Sequence, residues 1–495
     1  MTSVKPGKPG TAALPPWVGF SIVALGVFMS TLDSSIVNVA LPAIREDFDA
    51  PLNLVGWIPL GYLLTVAVTL LGFGRRGDRK GRARVYREGL VIFTLASLAC
   101  GLAPSIGLLV AARIVQAIGA SLIMAVGPAF LIHLFPPEKR GRAIGAMGVV
   151  VNLGLTSGPV LGGLLTEALS WHWIFLINLP IGVVGWWFTR RLDSDHPAEP
   201  ADARDRGDPW GNLLWIIGLT GLSLSLNRVP VWGLTLWPTG ALLLAGLGLT
   251  AWFALHEHRT ANPLLPLSLF RARLFSIPLF GGTVLFVYTF IFIYLGPFYL
   301  SILVGLPVHT VGLFFILGPL GSLITAPLSG WLHDRWGSRW LTTIGLLINA
   351  ATLYGLSQQG TDPSLPLFGL LMFSLGLGNG IYMPPNTTVL LATVPGRHTG
   401  VASGLHATGR TLGMVLGVAL GGAIFELSYN RLTGGVPLEQ FQGALHADAF
   451  AQAWRLSLLA GLLACLISVA VNLLRGPDPA PGEAPRGKRP TGLGA

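Results

Sequence analysis

Two charged side chains stand inside otherwise apolar runs of this sequence. The segment TLDSSIVNVALP (31–42) continues an apolar run that starts at Trp17, and Asp33 is the only charge as far as Ala40. A second run, ARIVQAIGA (112–120), contains Arg113. An ionised carboxylate in a low-dielectric environment is costly unless it is paired. A carboxyl group balanced between burial, which favours its protonated form, and a nearby cation, which favours its ionised form, can load and release a proton.

The composition places these runs in a membrane. Of the 495 residues, 52% are hydrophobic and 11% are charged, and the mean hydropathy is +0.65. A soluble globular chain carries about 25% charged residues, so we predict an integral membrane protein. Cys100 and Cys465 both lie inside apolar runs, which indicates no disulfide framework. The N-terminal stretch has no short apolar core before a small-residue cleavage site, so the first apolar run is predicted to be a retained spanning helix.

Fourteen segments are long enough to span a bilayer, for which roughly 20 mostly apolar residues are needed. The segments 190–208 and 428–450 are predicted to be charged or polar loops. The predicted helices begin near Trp17, Leu54, Tyr86, Gly107, Gly141, Trp173, Trp210, Leu234, Leu274, Thr310, Trp340, Leu365, Thr399 and Ala451.

Asp33 and Arg113 are predicted to lie at nearly the same depth in the membrane, which allows the two side chains to meet. At 1.5 Å per residue, Asp33 lies roughly 8 Å outward of the centre of its helix, and Arg113 lies roughly 9 Å outward of the centre of its own. Charges inside a membrane are functional by default, which favours a proton-coupling role for this pair. A static ion pair that only locks the helix packing stays open as the alternative.

Most of the net charge of +10 lies on one side of the predicted membrane. With the N-terminus placed inside, the inward segments hold 26 of the 32 Lys and Arg residues, and the outward loops hold four. This asymmetry is what the positive-inside rule requires. The basicity therefore encodes topology rather than a nucleic-acid partner, and both termini are predicted to be cytoplasmic.

The sequence also repeats itself. The pattern G-x-x-x-D-R-x-G begins at Gly74 and again at Gly330, 256 residues later, and a run of glycines at every fourth position begins at Gly154 and again at Gly409, 255 residues later. Two unrelated motifs that each recur after almost the same number of residues indicate two homologous halves, an arrangement found in transporters. The predicted units are a cytoplasmic tail (1–16), a six-helix bundle (17–191), a linker with two extra helices near 210–255 (192–273), a second six-helix bundle (274–474) and a disordered cytoplasmic tail (475–495).

In its motifs the chain resembles the major facilitator superfamily, and within it the fourteen-helix drug:proton antiporter branch. The resemblance covers nearly the whole chain and implies an all-α integral membrane fold. Arg76 departs from it by replacing a usual apolar residue. The motifs that carry it are LDSSIVNVALPAI (32–44), the loop 74–84, ARIVQAIGA (112–120), GLTSGPVLGG (154–163), WHWIFLINLPIG (171–182) and PLSLFRAR (266–273).

Two of these motifs are expected to act in the conformational switch. By spacing alone, small residues at every fourth position let helices pack closely, and Pro159 removes a backbone hydrogen bond. The resemblance adds that this bend seals the site against leak and marks export, and that Asp78 latches the outward-open state. The predicted switch residues are Gly74, Asp78, Arg79, Gly81, Arg82, Gly154, Gly158, Pro159, Gly162, Gly163, Asp334, Arg335 and Arg410.

A central cavity between the halves is predicted to bind the substrate. An aromatic cavity with one carboxylate suits lipophilic cations, and pockets of this kind are largely apolar with few polar groups. Arg410 would favour an anionic group, but the interpretation preferred from sequence is a structural tie to backbone carbonyls. The predicted substrate-binding residues are Asn38, Trp57, Tyr62, Gln116, Asn152, Phe286, Tyr288 and Tyr294.

No motif for catalysis, for ATP binding or for metal binding is present in the sequence. We therefore predict no enzyme activity, no metal site and no cofactor, with the proton gradient as the energy source. The predicted function is proton-coupled export of amphipathic, drug-like, cationic or neutral small molecules by a monomer in the lipid bilayer of the cytoplasmic (inner) cell membrane. An endogenous cargo (amino acid, siderophore or lipid-like metabolite) is the first alternative, and a non-transporting membrane sensor or scaffold is the second.

Overall fold

The computed structural model describes residues 16–135, 137–189, 208–232, 236–260, 267–394, 399–436, 438 and 441–476. Within these ranges the regular secondary structure is helical throughout. The helices are α1 (Pro16–Phe48), α2 (Leu52–Val55), α3 (Trp57–Lys80), α4 (Arg82–Gly101), α5 (Ile106–Leu134), α6 (Pro137–Ala168), α7 (Trp173–Leu176), α8 (Asn178–Thr189), α9 (Pro209–Trp232), α10 (Ala241–Arg259), α11 (Arg273–Phe298), α12 (Val308–Trp336), α13 (Ser338–Ser357), α14 (Leu365–Ala392), α15 (Thr399–Leu432) and α16 (Gly443–Leu473).

The lengths and apolar character of these helices make the chain a multi-pass integral membrane protein. Among the described residues, 11 helical segments are long and apolar enough to cross a bilayer, and the apolar segment Trp173–Thr189 is shorter. The helices α4 and α9 have 20 and 24 residues and stand where the sequence predicts two more spans. Several helices continue through prolines, among them Pro159 in α6, as membrane helices tolerate.

The polar loop predicted at 428–450 is too long at both ends. In the structure α15 continues to Leu432 and α16 begins at Gly443, before the predicted start at Ala451. Phe450 is fully buried and lies 4.8 Å from the Phe425 ring centroid. Tertiary packing of this kind stabilises helical turns that lie outside the apolar window, and a hydropathy scan does not register them.

The same packing pattern occurs twice along the chain. In the first half, α1 packs against α6, while α3 and α4 both pack against α5. In the second half, α11 packs against α15, while α12 and α13 both pack against α14. The helices that correspond in the two patterns also correspond in the sequence repeat.

The two halves meet through α6 with α12 and through α3 with α15. The helix α9 packs against α10 and also against α3 and α15, so it contacts both halves. At its start, the Gly211 backbone N–H donates to Asp208 Oδ1 at 2.8 Å, and His256 Nε2 in α10 lies 3.0 Å from the same oxygen. These contacts join α9 to α10 beside the two halves.

Candidate functional site

A buried ion pair joins Asp33, in the middle of α1, to Arg113 in α5. Both residues are 0% exposed, and Arg113 Nη1 donates to Asp33 Oδ2. Arg113 also donates to Gln116 Oε1 at 2.7 Å and, through Nε, to the Ile58 carbonyl at 3.4 Å. The two charges, which the sequence predicts at nearly equal depth, are therefore in direct contact.

Neutral amides occupy the other oxygen of Asp33. Gln116 Nε2 donates to Asp33 Oδ1 at 2.9 Å, and Asn178 Nδ2 in α8 donates to it at 3.0 Å. Gln116 Nε2 also donates to Ser97 Oγ in α4 at 2.7 Å. Hydrogen bonds to an ionised group are roughly twice as strong as neutral ones. Side chains of α1, α4, α5 and α8 are thus tied together around one carboxylate, whose charge state sets how strongly they are held.

The Tyr62 ring covers the guanidinium of this pair. Its centroid lies 4.1 Å from Arg113 Cζ, and its hydroxyl donates to the Ser30 carbonyl at 3.0 Å. On another side, the Phe175 ring centroid lies 5.6 Å from the same carbon. Aromatic faces attract a cation and limit its contact with water, so Tyr62 forms a partition next to the ion pair.

A small cavity lies on the other side of that partition, between the two halves. Ser30, Thr31 and Ser34 of α1, Tyr62 of α3 and Arg410 of α15 contribute to its lining. Its volume is about 20 Å³, room for one water molecule by the usual requirement of roughly 10–15 Å³. Pockets for drug-sized ligands measure roughly 300–1,000 Å³. The halves must therefore move apart here before such a ligand can enter.

A larger groove of about 570 Å³ lies between α12 and α14. Its lining is apolar and includes Phe314, Leu317 and Phe373, with no ionisable side chain among the described lining residues. It is separate from the Asp33 network. A metal site is not found either: in the described part of the chain, no group of three or more His, Cys, Asp and Glu side chains is arranged to hold an ion.

The glycines of α6 bring its backbone against α1 on both sides of Asp33. A Cβ atom at Gly158 would lie 1.9 Å from Ser35 Oγ and 2.8 Å from the Ile36 backbone nitrogen. A Cβ atom at Gly162 would lie 2.5 Å from the Ile36 carbonyl oxygen. At Gly154, the carbonyl accepts a hydrogen bond from Ser35 Oγ at 3.3 Å. This close approach is what small residues permit between membrane helices.

The second half repeats this close approach between α15 and α11. A Cβ atom at Gly413 would lie 2.2 Å from the Thr283 carbonyl oxygen, and one at Gly417 would lie 2.5 Å from the Val287 carbonyl oxygen. The repeated glycine motif thus makes the same kind of helix contact in each half.

At the end of the molecule where α6 finishes and α12 begins, the two halves are in direct contact. We call this the Glu167 end, defined by Glu167 of α6 and His309 of α12. The His309 backbone N–H donates to Glu167 Oε2 at 3.0 Å, and His309 Nδ1 contacts the same oxygen. A Cβ atom at Gly312 would lie 2.8 Å from the Pro159 carbonyl oxygen. The cavity is therefore closed toward the Glu167 end.

The predicted latch loop at 74–84 is mostly helical, because α3 continues to Lys80 and α4 begins at Arg82. Gly81, between α3 and α4, has a φ of +88°, a conformation that favours glycine. Arg76 Nη2 donates to Glu88 Oε2 at 2.9 Å, so the residue that replaces the apolar one of the family motif ties α3 to α4. The side chains of Asp78 and Arg79, like Gly74, lie outside the described residues.

The other predicted switch residues divide between the cavity and the surface. Arg410 lines the cavity. Arg335 is exposed, with its Cζ 4.1 Å from the Trp331 ring centroid. Arg82 is half-buried at the start of α4, and the side chain of Asp334 lies outside the described part of the structure.

Of the predicted substrate-binding residues, Tyr62 lines the cavity and Gln116 belongs to the Asp33 network. Asn38 donates to backbone carbonyls of its own helix, and Trp57 is half-buried at the start of α3. The side chain of Asn152 is not described. Three aromatic residues of α11 pack within the protein and are absent from the described lining of the cavity. The three are Phe286 beside Gly413, Tyr288 hydrogen-bonded to Asn349, and Tyr294 beside Gly56.

Two residues of the site, Asn178 and Ser97, were not predicted from the sequence. Asn178 stands in the motif WHWIFLINLPIG as a lone amide in an apolar run, and that isolation was a signal of the same kind as Asp33. Ser97 gave no such signal, because a single serine in a membrane helix usually hydrogen-bonds its own backbone. Ser97 does so through the Phe93 carbonyl at 2.8 Å while also accepting from Gln116.

Comparison with known proteins places these features in a family. The model of the Major Facilitator Superfamily matches residues 23–298 and 278–495. Similar solved structures include a bacterial homolog of the human lysosomal transporter Spinster, inward-facing and unoccupied, at 16% identity and a TM-score of 0.63 over 94% of this chain and 97% of that one. A likeness at this identity shows the fold.

Three curated relatives are similar over most of their length. The riboflavin transporter RibZ of Clostridioides difficile is 33% identical over 84% of this chain and 90% of its own. The tetracenomycin C resistance and export protein of Streptomyces glaucescens is 35% identical, with shares of 83% and 76%. The methylenomycin A resistance protein of Streptomyces coelicolor is 32% identical, with shares of 92% and 97%.

Proposed function

Because the chain belongs to the Major Facilitator Superfamily, we propose that it is a proton-coupled exporter of amphipathic, drug-like small molecules. The observation that carries this proposal is the Asp33 network, in which one carboxylate is hydrogen-bonded by Arg113, Gln116 and Asn178 inside the first half. A scaffold or sensor protein has no need of a buried carboxylate held in this way. A transporter that exchanges its cargo for protons does need one.

The membrane arrangement that we propose has fourteen spanning helices. Two six-helix bundles (17–191 and 274–474) move as the two halves, α9 and α10 lie beside them within the linker 192–273, and both termini are cytoplasmic. The Lys and Arg distribution supports this orientation, and the packing of α9 against α3 and α15 supports its position beside the bundles. The Glu167 end then faces outward from the cytoplasmic membrane, and the protein works as a monomer.

Protonation of Asp33 is the proposed switch. The neutral acid loses its ionic attraction to Arg113 and its charge-assisted hydrogen bonds from the two amides, so the ties among α1, α4, α5 and α8 weaken. The glycine contacts hold α6 close against α1 on both sides of Asp33, so a change at the carboxyl group is transmitted to α6. Since α6 contacts α12 across the two halves, the charge on Asp33 biases which end of the cavity is open.

Cargo acts on the same switch through Tyr62. One side of the ring covers Arg113 and the residue also lines the cavity, so a ligand that displaces Tyr62 disturbs the ion pair without touching Asp33. Exchange then requires that a filled cavity and a protonated Asp33 favour opposite conformations. The preference for cationic cargo predicted from Asp33 has less support, because both oxygens of the carboxylate are engaged and the residue is fully buried.

Relatives named for antibiotic resistance support a drug-like cargo. A relative named as a riboflavin transporter favours the second candidate, an endogenous metabolite, on the same fold. A susceptibility panel in an efflux-deficient bacterial host separates the two. We expect resistance to several amphipathic compounds that disappears with an uncoupler. Unchanged susceptibility across the panel, together with export of a single metabolite, would favour the endogenous cargo.

The contact at the Glu167 end leads to a prediction about gating. Replacing Glu167 with Gln leaves a hydrogen-bonding side chain but removes its charge. Both partners are well exposed, so we expect a loss of about 0.2–1 kcal/mol from the closed state at that end, as for other exposed pairs. A cysteine placed at the cavity residue Ser34 should react up to a few-fold faster with a reagent applied from that side. Arg431→Gln, an exposed change in α15, serves as the control, and equal rates in all variants would show that Glu167 is not part of the gate.

A further inference from the structure

Arg410 is a half-buried cation at the cavity between the halves, and the described side chains supply no counter-charge for it. It lies in α15 and lines the cavity opposite Tyr62 and the α1 hydroxyl groups. Its Nε atom is buried and has no hydrogen-bond partner. In the part of the chain that the structure describes, no carboxylate forms an ion pair with it. A charge removed from water is unfavourable unless a partner compensates it.

The Asp33 carboxylate, on the other side of the Tyr62 partition, is already engaged and does not pair with Arg410. Asp33 is fully buried, and its two oxygens accept from Arg113, Gln116 and Asn178. Arg113 and Asp33 cancel each other's charge, so Arg410 leaves the cavity with a net positive charge. Among the described lining residues, the only other ionisable side chain is that of Tyr62.

The structure also weakens the reading of Arg410 as a tie to backbone carbonyls, which the sequence favoured. Arg113 shows what such a tie looks like here, because its Nε donates to the Ile58 carbonyl at 3.4 Å. The corresponding atom of Arg410 has no such acceptor. A guanidinium that only held the helices in place would use its donors, since a planar fork of five N–H groups is suited to several bonds at once.

We propose that Arg410 binds an acidic oxygen group of the cargo, so that the exporter takes amphipathic aromatic acids. This inference rests on the proposed function and names the cargo class of the same cavity. The guanidinium matches a carboxylate in geometry as well as in charge. The same cavity is lined by the hydroxyl groups of Ser30, Thr31 and Thr411, which donate to backbone carbonyls of their own helices. Met124 and Met414 supply adaptable apolar surface for a ring system.

Arg410 and Asp33 have separate tasks in this scheme. An anion bound to Arg410 and a proton bound to Asp33 occupy different side chains and do not compete for one site. Exchange therefore depends on the opposite conformations that the filled cavity and the protonated Asp33 favour. Arg410 supplies affinity for the cargo. The negative-inside membrane potential also drives an anion outward. Export of an acid in exchange for a proton therefore draws on the potential as well as on the pH difference.

The test is equilibrium binding to the purified full-length protein in lipid nanodiscs, without any gradient. The probes are labelled 1-naphthoate, 1-naphthamide and 1-naphthylmethylamine, which share one ring system and differ in charge. Empty nanodiscs give the background. We expect the wild type to bind naphthoate at least about tenfold more tightly than either analogue, as for a hydrogen bond to a charged group.

Variants then assign the preference to one side chain. Arg410→Gln should weaken naphthoate binding about tenfold or more while naphthamide binding stays within a few-fold, and Arg410→Lys should recover part of the loss. Arg431→Gln, on the exposed face of the same helix, should bind as the wild type does. Unchanged naphthamide binding also shows that a variant is folded.

The proposal is overturned if Arg410→Gln weakens all three probes equally, since that is the result of a structural role. It is also overturned, whatever the variants do, if the wild type shows no preference for naphthoate or does not bind it. Because binding is measured without a gradient, loss of proton-coupled export with intact naphthoate selectivity contradicts the proposed function and leaves the anion site standing.

Discussion

Replacement of Asp33 by Asn is expected to abolish accumulation driven by a pH gradient while substrate exchange continues. The Asn side chain keeps the shape of Asp33 and accepts a hydrogen bond, but it cannot lose a proton. The side chain at position 33 then stays uncharged, so proton binding can no longer change the conformational preference that opposes cargo binding. Rocking of the two halves remains possible, so downhill exchange of labelled for unlabelled substrate should persist.

The measurement uses inside-out vesicles with an imposed proton gradient, at matched protein levels. Arg113 loses its partner in this variant, and breaking a buried ion pair can be destabilising by about 3–5 kcal/mol, so monodispersity of the purified variant is checked first. Asp33→Glu, which keeps a titratable carboxyl group, should retain part of the activity. Near-normal gradient-driven accumulation by Asp33→Asn would reduce the Asp33–Arg113 pair to a packing contact.

The second large effect is expected at Gly162. A Cβ atom there would lie 2.5 Å from the Ile36 backbone carbonyl oxygen, and a backbone atom of α1 cannot move aside as a flexible side chain can. Overpacking of this kind is destabilising by about 1–3 kcal/mol, which is more than the gain of about 1 kcal/mol in helix propensity on replacing Gly with Ala. Gly162→Ala should therefore lower thermal stability and strongly slow transport, because α6 can no longer stay in contact with α1.

Gly148→Ala is the matched control for this change. It lies in the same helix, and a Cβ atom there meets no atom of the described residues within 4 Å. We expect wild-type transport and an equal or slightly higher melting temperature, measured by size-exclusion after heating in detergent. If both alanine variants behave alike, the close approach of α6 and α1 does not matter for function.

The sequence was sufficient for features that follow from periodicity and depth. The apolar segments, the repeat and the pairing of Asp33 with Arg113 could be predicted because a membrane helix has a known rise and a charge within it needs a partner. The spacing of Gly154, Gly158 and Gly162 likewise predicted close helix packing. The structure adds that this packing falls on α1 at residues next to Asp33.

Features that depend on which faces of the helices meet could not be predicted. The sequence makes Tyr62 a candidate cavity residue, but nothing in it shows that Tyr62 separates the ion pair from the cavity. The setting of Arg410 was also hidden, since the sequence does not reveal whether a backbone carbonyl is within reach. The aromatic residues of α11 illustrate the same limit, because Tyr288 hydrogen-bonds Asn349 in the second half and the sequence alone suggested a ligand contact.

Exchange of cargo for protons is the central claim, and it can be measured without an imposed pH gradient. The purified wild type is reconstituted in liposomes that contain a pH-sensitive dye, and a transported compound from the susceptibility panel is supplied as the only gradient. We expect proton movement opposite to the movement of the compound, and no such movement in empty liposomes or with Asp33→Asn. Movement of the compound without protons, or with protons in the same direction, would contradict the central claim.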